Sequence, residues 1–291
     1  MTMPDRISIG RLALVGVGLI GSSFALALRR AGAVGTVVGS DRSREHLDNA
    51  LALGIIDQSA ESAQEAVRDA DLVFVAVPVC SICDVVGQAS AGLKPGSIVT
   101  DGGSVKAGIT ETCSRLMPAG SSFIGGHPIA GTEHSGPAAA FASLFDSRRC
   151  ILTPLPDADP AAVTTVTRLW QAAGARVSCM EPHHHDRIFA EISHLPHMAA
   201  YALVHAVGTA DVEGENVLSY TAGGFRDFTR IASSDPAMWR DIAIMNRQSL
   251  LKSIDGFSGS LADLRQRIEQ EDGPGLEAFF TIAKQFRDGI A

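Results

Sequence analysis

The first half of the chain alternates short apolar runs with segments whose apolar residues recur at helical spacing. The run at 71–77 is almost wholly apolar, which is typical of a parallel strand covered on both faces. Further runs that predict strands lie at 11–15, 34–40, 97–101, 123–124, 150–153 and 176–179. This alternation predicts a Rossmann-type, doubly wound α/β domain with a mostly parallel sheet.

The strand pattern stops near residue 181. The periodicity predicts helices over 181–193, 196–207, 238–253, 258–270 and 275–290. We therefore predict two domains, a Rossmann domain over 1–180 and an all-α domain over 181–291. The apolar stripes of these helices need partners, which are either each other or a second subunit.

A glycine turn follows the first predicted strand. Gly16, Gly18 and Gly21 form the pattern GxGxxG between that strand and a helix, which is the context of a dinucleotide site. Asp41 ends the second predicted strand, where a carboxylate binds the hydroxyls of an adenine ribose and repels a 2′-phosphate. We predict NAD as the cofactor, a preference that the adjacent Arg42 would soften. The predicted cofactor site comprises Gly16, Gly18, Leu19, Ile20, Gly21, Asp41, Arg42, Val77 and Pro78.

Composition narrows the class of partner. The net charge of −8 argues against nucleic acid, which needs a basic surface, and requires locally placed arginines for an anionic ligand. No apolar run is long enough to span a bilayer, so we expect no membrane partner. The five scattered cysteines and the lack of a secretory signal predict a cytoplasmic protein with reduced, mostly buried thiols.

Two short motifs resemble metal sites. The CxxC at 80–83 has no second cysteine pair, and consecutive histidines at 183–185 would point in different directions on a helix. We predict no metal, and we interpret the three histidines as the start of a helix.

The stretch GGHPIAGTEHSG at 125–136 holds a histidine in front of a proline. It occurs with DGGSVK at 101–106, HDRIFAEISHLPH at 185–197 and GGFRDFTRIASSDPAMWRDI at 223–242. With the glycine turn GVGLIG at 16–21, these motifs make the chain resemble the prephenate/arogenate (cyclohexadienyl) dehydrogenase family over nearly its whole length. The resemblance implies NAD(P)-dependent oxidative decarboxylation of prephenate or arogenate in tyrosine biosynthesis, and a homodimer formed through the helical domain.

The resemblance implies that His127 is the catalytic histidine. An unperturbed imidazole titrates near pH 6.5, so it can accept a hydroxyl proton at neutral pH. Pro128 biases the His127 backbone toward an extended conformation. By resemblance, Ser104 lies between His127 and the nicotinamide, where its hydroxyl would orient the ring and fix the tautomer.

The resemblance also implies substrate-binding residues. Arg230 would bind a substrate carboxylate through two parallel hydrogen bonds, from a site between the two domains. His197 would lie near the substrate side chain, and Thr132 and Glu133 match a substrate-side segment. His194 is interpreted as structural, and Trp239 and Phe225 as packing residues that hold the Arg230 segment.

Several alternatives stay open. Prephenate and arogenate differ by a keto group or an ammonium on the side chain, and Glu133 or Glu191 would favour arogenate if either lay near it. A Rossmann dehydrogenase of the β-hydroxyacid type would need a catalytic lysine in the helical domain, which offers only Lys252 and Lys284. A non-enzymatic NAD-binding regulator would not need His127, Ser104 and Arg230 together.

Overall fold

The structure is a computed structural model that describes residues 7–132 and 134–290. Its centre is an eight-stranded sheet with the order β3-β2-β1-β4-β5-β6-β7-β8. Neighbouring strands are parallel except for β6 and β7, which confirms the predicted mostly parallel sheet. The strands are β1 Ile9–Val15, β2 Val34–Ser40, β3 Gln58–Ser59, β4 Leu72–Val75, β5 Ile98–Asp101, β6 Ser122–Pro128, β7 Arg149–Thr153 and β8 Arg176–Cys179.

Helices accompany the strands and then replace them. The first group comprises α1 Leu19–Ala31, α2 Arg44–Ala52, α3 Ala63–Ala66, α4 Ile82–Ser90, α5 Ala107–Leu116 and α6 Pro160–Ala172. The second group comprises α7 Pro182–Phe189, α8 Leu195–Gly208, α9 Gly223–Thr229, α10 Pro236–Met245, α11 Arg247–Glu269 and α12 Gly273–Asp288. The change from one pattern to the other falls between Cys179 and Pro182, beside the predicted division at 180.

The core lies on both faces of the sheet. Leu12 and Leu14 of β1 belong to one buried cluster, and the alternate residues Ala13 and Val15 belong to the other. This explains why the central strands read as continuous apolar runs, since side chains on both faces are removed from water.

The second half departs from the predicted helix boundaries at Asn246. A single helix was expected over 238–253, but α10 ends at Met245 and α11 runs without a break past Gly256. Asn246 is buried, and its side-chain amide donates to the Asp186 carbonyl at 2.8 Å. The helix therefore breaks where a polar side chain turns inward, while Gly256 and Gly259 inside α11 are each tolerated at a cost of about 1 kcal/mol.

Another difference concerns the segment between α7 and α8. Residues Ala190–His194 form a π-helical turn, and α8 then begins with Pro196 in its first turn. The helix predicted over 196–207 is present as α8, which continues from the π-helical turn without a break. Pro196 has no N–H with which to continue an α-helical hydrogen-bond ladder, and the π-helical turn directly before it interrupts that ladder.

The prediction that the cysteines are mostly buried is wrong. Cys113 and Cys150 are buried, Cys83 is intermediate, and Cys80 and Cys179 are exposed. Cys80 lies in a 3-10 turn after β4 and Cys179 ends the edge strand β8, so neither is covered. Within the described residues, no helix combines the length and the apolar character needed to cross a bilayer.

Candidate active site

The glycine turn has the geometry of a dinucleotide site. Gly16 has a φ of 94°, and a Cβ there would collide with the Ala76 carbonyl. A Cβ on Gly21 would collide with the Gly16 carbonyl, so Gly21 lets α1 pack against the turn. A Cβ on Gly18 would meet nothing within 4 Å, so its backbone faces open space. These are the three roles that glycines play around a pyrophosphate.

The start of α1 is free to bind an anion. Its N-cap residue, Gly18, has no side chain to cap the helix. Leu19, Ile20 and Gly21 form the first helical turn, whose backbone N–H groups have no partner within the helix. A phosphate placed there would receive these hydrogen bonds and the positive end of the helix dipole.

A cleft of about 640 Å³ opens beside this turn. Its lining includes six of the predicted cofactor residues, which are Gly16, Gly18, Asp41, Arg42, Val77 and Pro78. His46, Glu61, Ser62, Asp84 and Gln88 also line it, and sequence reasoning missed them because no motif marks these positions. The volume of the cleft, its glycine turn and the Asp41 carboxylate after β2 fit a dinucleotide.

Asp41 also organises the cleft. One carboxylate oxygen accepts the Val17 N–H at 2.9 Å, and the other accepts the Ser43 N–H at 2.8 Å. The carboxylate therefore holds the glycine turn and the start of α2 in place. Each of its oxygens keeps a further lone pair with which to accept a ribose hydroxyl.

His127 lies in the strand β6, although its glycine-rich surroundings in the sequence are typical of a loop. It is the sixth of seven residues in β6, and it pairs with Ile151 of the antiparallel strand β7. This register places the imidazole at the carboxyl end of β6, the edge of the sheet where ligands bind in such folds. The ring packs against Phe189 with a centroid distance of 4.7 Å.

A chain of hydrogen bonds runs inward from the His127 ring. His127 Nδ1 is 2.9 Å from His185 Nε2, and His185 Nδ1 is 2.9 Å from Asp186 Oδ1. The Asp186 carboxylate also accepts the Lys106 and Ala107 N–H groups at 2.8 and 2.9 Å, and so caps α5. These contacts join α7 of the helical region to the sheet.

Sequence reasoning missed His185 and Asp186. It treated 183–185 only as a helix start or a metal motif. Glu181 does cap α7, by accepting the His183 and His184 N–H groups at 2.8 and 2.7 Å, so the helix start is confirmed. The spacing of His185 and Phe189, one helical turn apart, is the signal that marks the buried face.

The three consecutive histidines have different surroundings. His183 Nε2 is 2.8 Å from a Glu111 oxygen at the surface, while His185 is fully buried. Over 7–132 and 134–290, no three or more His, Cys, Asp or Glu side chains are grouped so that they could hold a metal ion.

The electrostatic environment keeps the inner histidines neutral. Burial lowers the pKa of His127 well below 6.5, and the neighbouring His185, Lys106 and His194 lower it further. Burial also lowers the pKa of His185, although Asp186 opposes this effect. At neutral pH the His127 imidazole therefore carries no charge and has a lone pair with which to accept a proton.

A buried ion pair fixes the end of β6. Lys106 and Asp101 are both fully buried and in contact, and Lys106 Nζ also donates to the Gly126 carbonyl at 2.8 Å. Asp101 Oδ1 in turn accepts the Gly126 N–H at 3.0 Å. The N–H and the carbonyl of Gly126, the residue before His127, are therefore both hydrogen-bonded to this ion pair.

Ser104 is half-buried and forms no hydrogen bond with any described residue. The partner of His127 Nδ1 is His185, so the orientation expected from Ser104 comes from another side chain in this structure. Ser104 retains a hydroxyl available to a ligand, and its catalytic role stays a prediction.

Arg230 lies at the start of a 3-10 turn, Arg230–Ser233, which packs against α8. The guanidinium is exposed and has no ion pair with any residue in the described parts of the chain. Asp241, a possible internal partner, instead pairs with Arg240 at 2.6 Å. Arg230 is thus a cation available to an anionic ligand.

His197 lies on α8 and stacks on the Trp239 ring with a centroid distance of 3.6 Å. Its Nδ1 donates to the Ser193 carbonyl at 2.8 Å, and its Nε2 forms no hydrogen bond with a residue that the structure describes. Trp239 is buried against the sheet-side cluster, in line with the packing role expected of it.

The substrate-side loop is the least constrained part of the site. Thr132 is exposed, and its hydroxyl accepts the His134 N–H at 3.2 Å. Glu133 lies outside the described residues. The roles expected of Thr132 and Glu133 therefore stay predictions.

Comparison with known proteins agrees with this geometry. Residues 24–179 match the family model of the prephenate dehydrogenase nucleotide-binding domain, and residues 181–282 match that of the prephenate dehydrogenase dimerization domain. The chain belongs to the prephenate dehydrogenase family.

Individual relatives support the same assignment. The chain is 38% identical to the prephenate dehydrogenase of Bacillus subtilis, over 95% of this chain and 75% of that protein. It is also 38% identical to the cyclohexadienyl dehydrogenase of Zymomonas mobilis, over 95% of this chain and 94% of that protein. A crystal structure of Aquifex aeolicus prephenate dehydrogenase with hydroxyphenyl propionate and NAD+ superimposes with a TM-score of 0.93 at 36% identity, covering 99% of this chain and 100% of that one.

The buried histidines predict a pH-dependent stability for this family member. Burial lowers the pKa of His194 to about 4, and its Nε2 is buried with no hydrogen-bond partner among the described residues. Between about pH 6.5 and pH 4, His194 is protonated in the unfolded chain but neutral in the folded protein. The unfolded state therefore binds more protons, and the free energy of unfolding falls as the pH falls. We expect His194 alone to remove about 2 kcal/mol between pH 7 and pH 5.

Urea unfolding followed by circular dichroism at both pH values would measure this loss. His194→Gln should flatten the pH dependence by about that amount, whereas His184→Gln, at an exposed position of α7, should leave it unchanged. An equal slope in wild type and His194→Gln would contradict the assignment.

Proposed function

We propose that this chain catalyses the NAD-dependent oxidative decarboxylation of prephenate, arogenate or both. The observation that carries the proposal is the neutral His127 ring at the carboxyl edge of the sheet, hydrogen-bonded to His185 behind it. The relatives named above supply the reaction class. When bound, NAD+ accepts the hydride from the ring carbon that bears the hydroxyl group.

His127 is the proton acceptor in this proposal. Its imidazole takes the hydroxyl proton as the carbonyl forms on the substrate ring. The bond to the ring carboxylate then breaks, its electron pair makes the ring aromatic, and CO2 leaves. The phenolate oxygen takes the proton back from His127, which returns to its neutral form.

Arg230 is the carboxylate-binding residue. Prephenate carries two carboxylates, while the chain has a net charge of −8. A local cation is therefore needed to offset the average field. Arg230 meets this need because its guanidinium has no ion pair with a described residue and belongs to a turn packed on α8, which carries His197. Ser104, Thr132, Glu133 and His197 complete the proposed site.

In this proposal, the two halves of the chain have different functions. Residues 1–180 bind the cofactor, and residues 181–291 bind the substrate and form a homodimer. Two observations support the homodimer. The second family model is a dimerization domain, and the last two helices expose large apolar side chains. These include Leu251, Phe257, Leu261, Ile268, Phe280, Ile282 and Phe286.

A dehydrogenase of the β-hydroxyacid type fits the helical region less well. Lys252 is exposed on α11, and Lys284 is exposed on α12 with an ion pair to Asp288 one turn later. Neither lysine is buried in a site. The 3-hydroxyisobutyrate dehydrogenase of Mycobacterium tuberculosis shares 13% identity with the chain at a TM-score of 0.58, which is a likeness of fold alone.

The reaction is tested by following NADH formation with NAD+ and either prephenate or arogenate. His127→Ala should lower kcat by roughly 10²–10⁴-fold with little change in NAD+ affinity, because the proton acceptor is lost. His184→Ala, at an exposed histidine of α7, is the control and should keep wild-type turnover. Wild-type turnover in His127→Ala would remove this residue from the mechanism.

The role of Arg230 is tested by Arg230→Ala. The loss of one charge-assisted carboxylate contact should cost about 2 kcal/mol, the low end for such pairs because the guanidinium is exposed. This corresponds to a KM for prephenate about 30-fold higher, with a smaller change in kcat. Arg226→Ala, one turn earlier on α9, provides the matched control. If both variants have the same KM, Arg230 does not bind the substrate.

The cofactor preference is tested by Asp41→Ser. Removal of the carboxylate removes the repulsion of a 2′-phosphate, so the ratio of kcat/KM for NADP+ to that for NAD+ should rise on the order of tenfold or more. Asp41→Asn keeps an acceptor for the Val17 N–H and separates the effect of charge from that of the turn. Asp48→Ser, on the exposed face of α2, is the control. An unchanged ratio in both Asp41 variants would place the ribose contact elsewhere.

A further inference from the structure

The hydrogen bonds behind His127 assign each of its ring protons. The Asp186 carboxylate already accepts two backbone N–H groups at the start of α5, and carboxylate oxygens offer only lone pairs. The contact between Asp186 Oδ1 and His185 Nδ1 therefore has His185 as its donor. Since Nδ1 of His185 carries the proton, Nε2 of the same neutral ring is bare.

The next hydrogen bond follows from the first. His185 Nε2 has a lone pair, so at 2.9 Å it accepts a proton from His127 Nδ1. His127 is neutral and has only one N–H, which this contact uses. Its Nε2 must then be the unprotonated nitrogen.

We propose that His185, anchored by Asp186, is a positioning residue that holds His127 in the Nδ1–H tautomer and so presents Nε2 as the proton acceptor. The proposal rests on the proposed function for its kinetic consequence, but the tautomer itself is a property of the protein without substrate. Neither His185 nor Asp186 touches the reacting atoms in this account.

Packing reinforces the hydrogen bonds. Phe189 stacks on the His185 ring with a centroid distance of 4.5 Å and an interplanar angle of 24°, and it also contacts the His127 ring. His185 is fully buried, so water does not compete for its nitrogens. Both imidazoles are therefore fixed in orientation as well as in tautomer.

The arrangement also has an electrostatic consequence. When His127 Nε2 takes a proton, a cation forms near the buried Lys106 ammonium and near His194, which is neutral. The Asp101 carboxylate is already engaged by Lys106, Gly103 and Gly126. The Asp186 carboxylate, reached through His185, is then the negative group that offsets the new charge.

The first test needs no substrate. In protein labelled with 15N-histidine, the ring resonances of His127, identified by their loss in His127→Gln, should show a proton on Nδ1 and none on Nε2 at pH 7.5. In His185→Phe, which keeps the stack on Phe189 but offers no acceptor, the proton should move to Nε2. A wild-type His127 with its proton on Nε2 would overturn the proposal.

The second test is kinetic. His185→Phe should lower kcat by about 10²–10⁴-fold, in line with the cost of the wrong histidine tautomer in a serine protease triad, while KM and NAD+ affinity stay within about twofold. His185→Gln places a carbonyl oxygen near the position of Nε2 and should recover at least tenfold of that loss. His184→Gln, an exposed position on the same helix, should behave as wild type.

The tautomer measurement and the kinetic measurement distinguish a failure of the proposed function from a failure of the positioning role. An Nδ1–H tautomer in a wild-type protein that oxidises neither prephenate nor arogenate would overturn the proposed function and leave the tautomer assignment standing. Wild-type turnover in His185→Phe with an unchanged His127 tautomer would overturn the positioning role. If His185→Phe does not fold, the wild-type spectrum still decides the tautomer, and His185→Leu, which likewise offers no acceptor, decides the positioning role. An unchanged His127 tautomer with wild-type kcat in His185→Leu would overturn that role.

Discussion

The arrangement of this site depends on one buried ion pair. Lys106 and Asp101 are fully enclosed, and between them they engage both backbone polar groups of Gly126. Asp101 ends β5 and Gly126 lies near the end of β6, so the pair joins the ends of two neighbouring strands. Burial of two charges is unfavourable unless each finds further partners, and here the carboxylate has three donors and the ammonium has two acceptors. Removal of either partner would leave an uncompensated charge inside the sheet edge, which typically costs about 3–5 kcal/mol.

The same pair sets the chemistry next to it. Lys106 places a positive charge near His127 and helps to lower its pKa, which keeps the ring neutral and able to accept a proton. An unopposed cation would also disfavour the protonated state that the proposed reaction must pass through. Asp186 supplies the opposing charge, and the Lys106 backbone N–H holds that carboxylate at 2.8 Å. Lys106 therefore binds the end of β6 with its side chain, and with its backbone N–H it holds Asp186, the carboxylate that offsets the positive charge of its own ammonium.

Much of the first half could be predicted because its signals are local. Seven of the eight strands were predicted from runs along the chain, and Gly16, Gly18 and Gly21 have steric requirements that a short motif records. The strand β3, two exposed polar residues, was missed because it has no such pattern. The position of His127 followed from resemblance, but its place in β6 did not, since Pro128 pairs with Cys150 of a strand that arrives from the other direction. The role of His185 was beyond sequence reasoning for a similar reason. It depends on how α7 packs on α5, and no spacing along the chain encodes that contact.

Asp186 connects the assembly of the two regions with the proposed chemistry. Its carboxylate caps α5 of the sheet region, its carbonyl accepts from Asn246 at the break between α10 and α11, and its side chain anchors His185. A helix cap of this kind stabilises a helix by about 1 kcal/mol, and here it also fastens the helical region to the sheet. If α7 moved away from α5, the cap would be lost and His127 would lose the acceptor for its Nδ1 proton at the same time. The proton acceptor of the proposed reaction is therefore correctly arranged only when the sheet region and the helical region are docked.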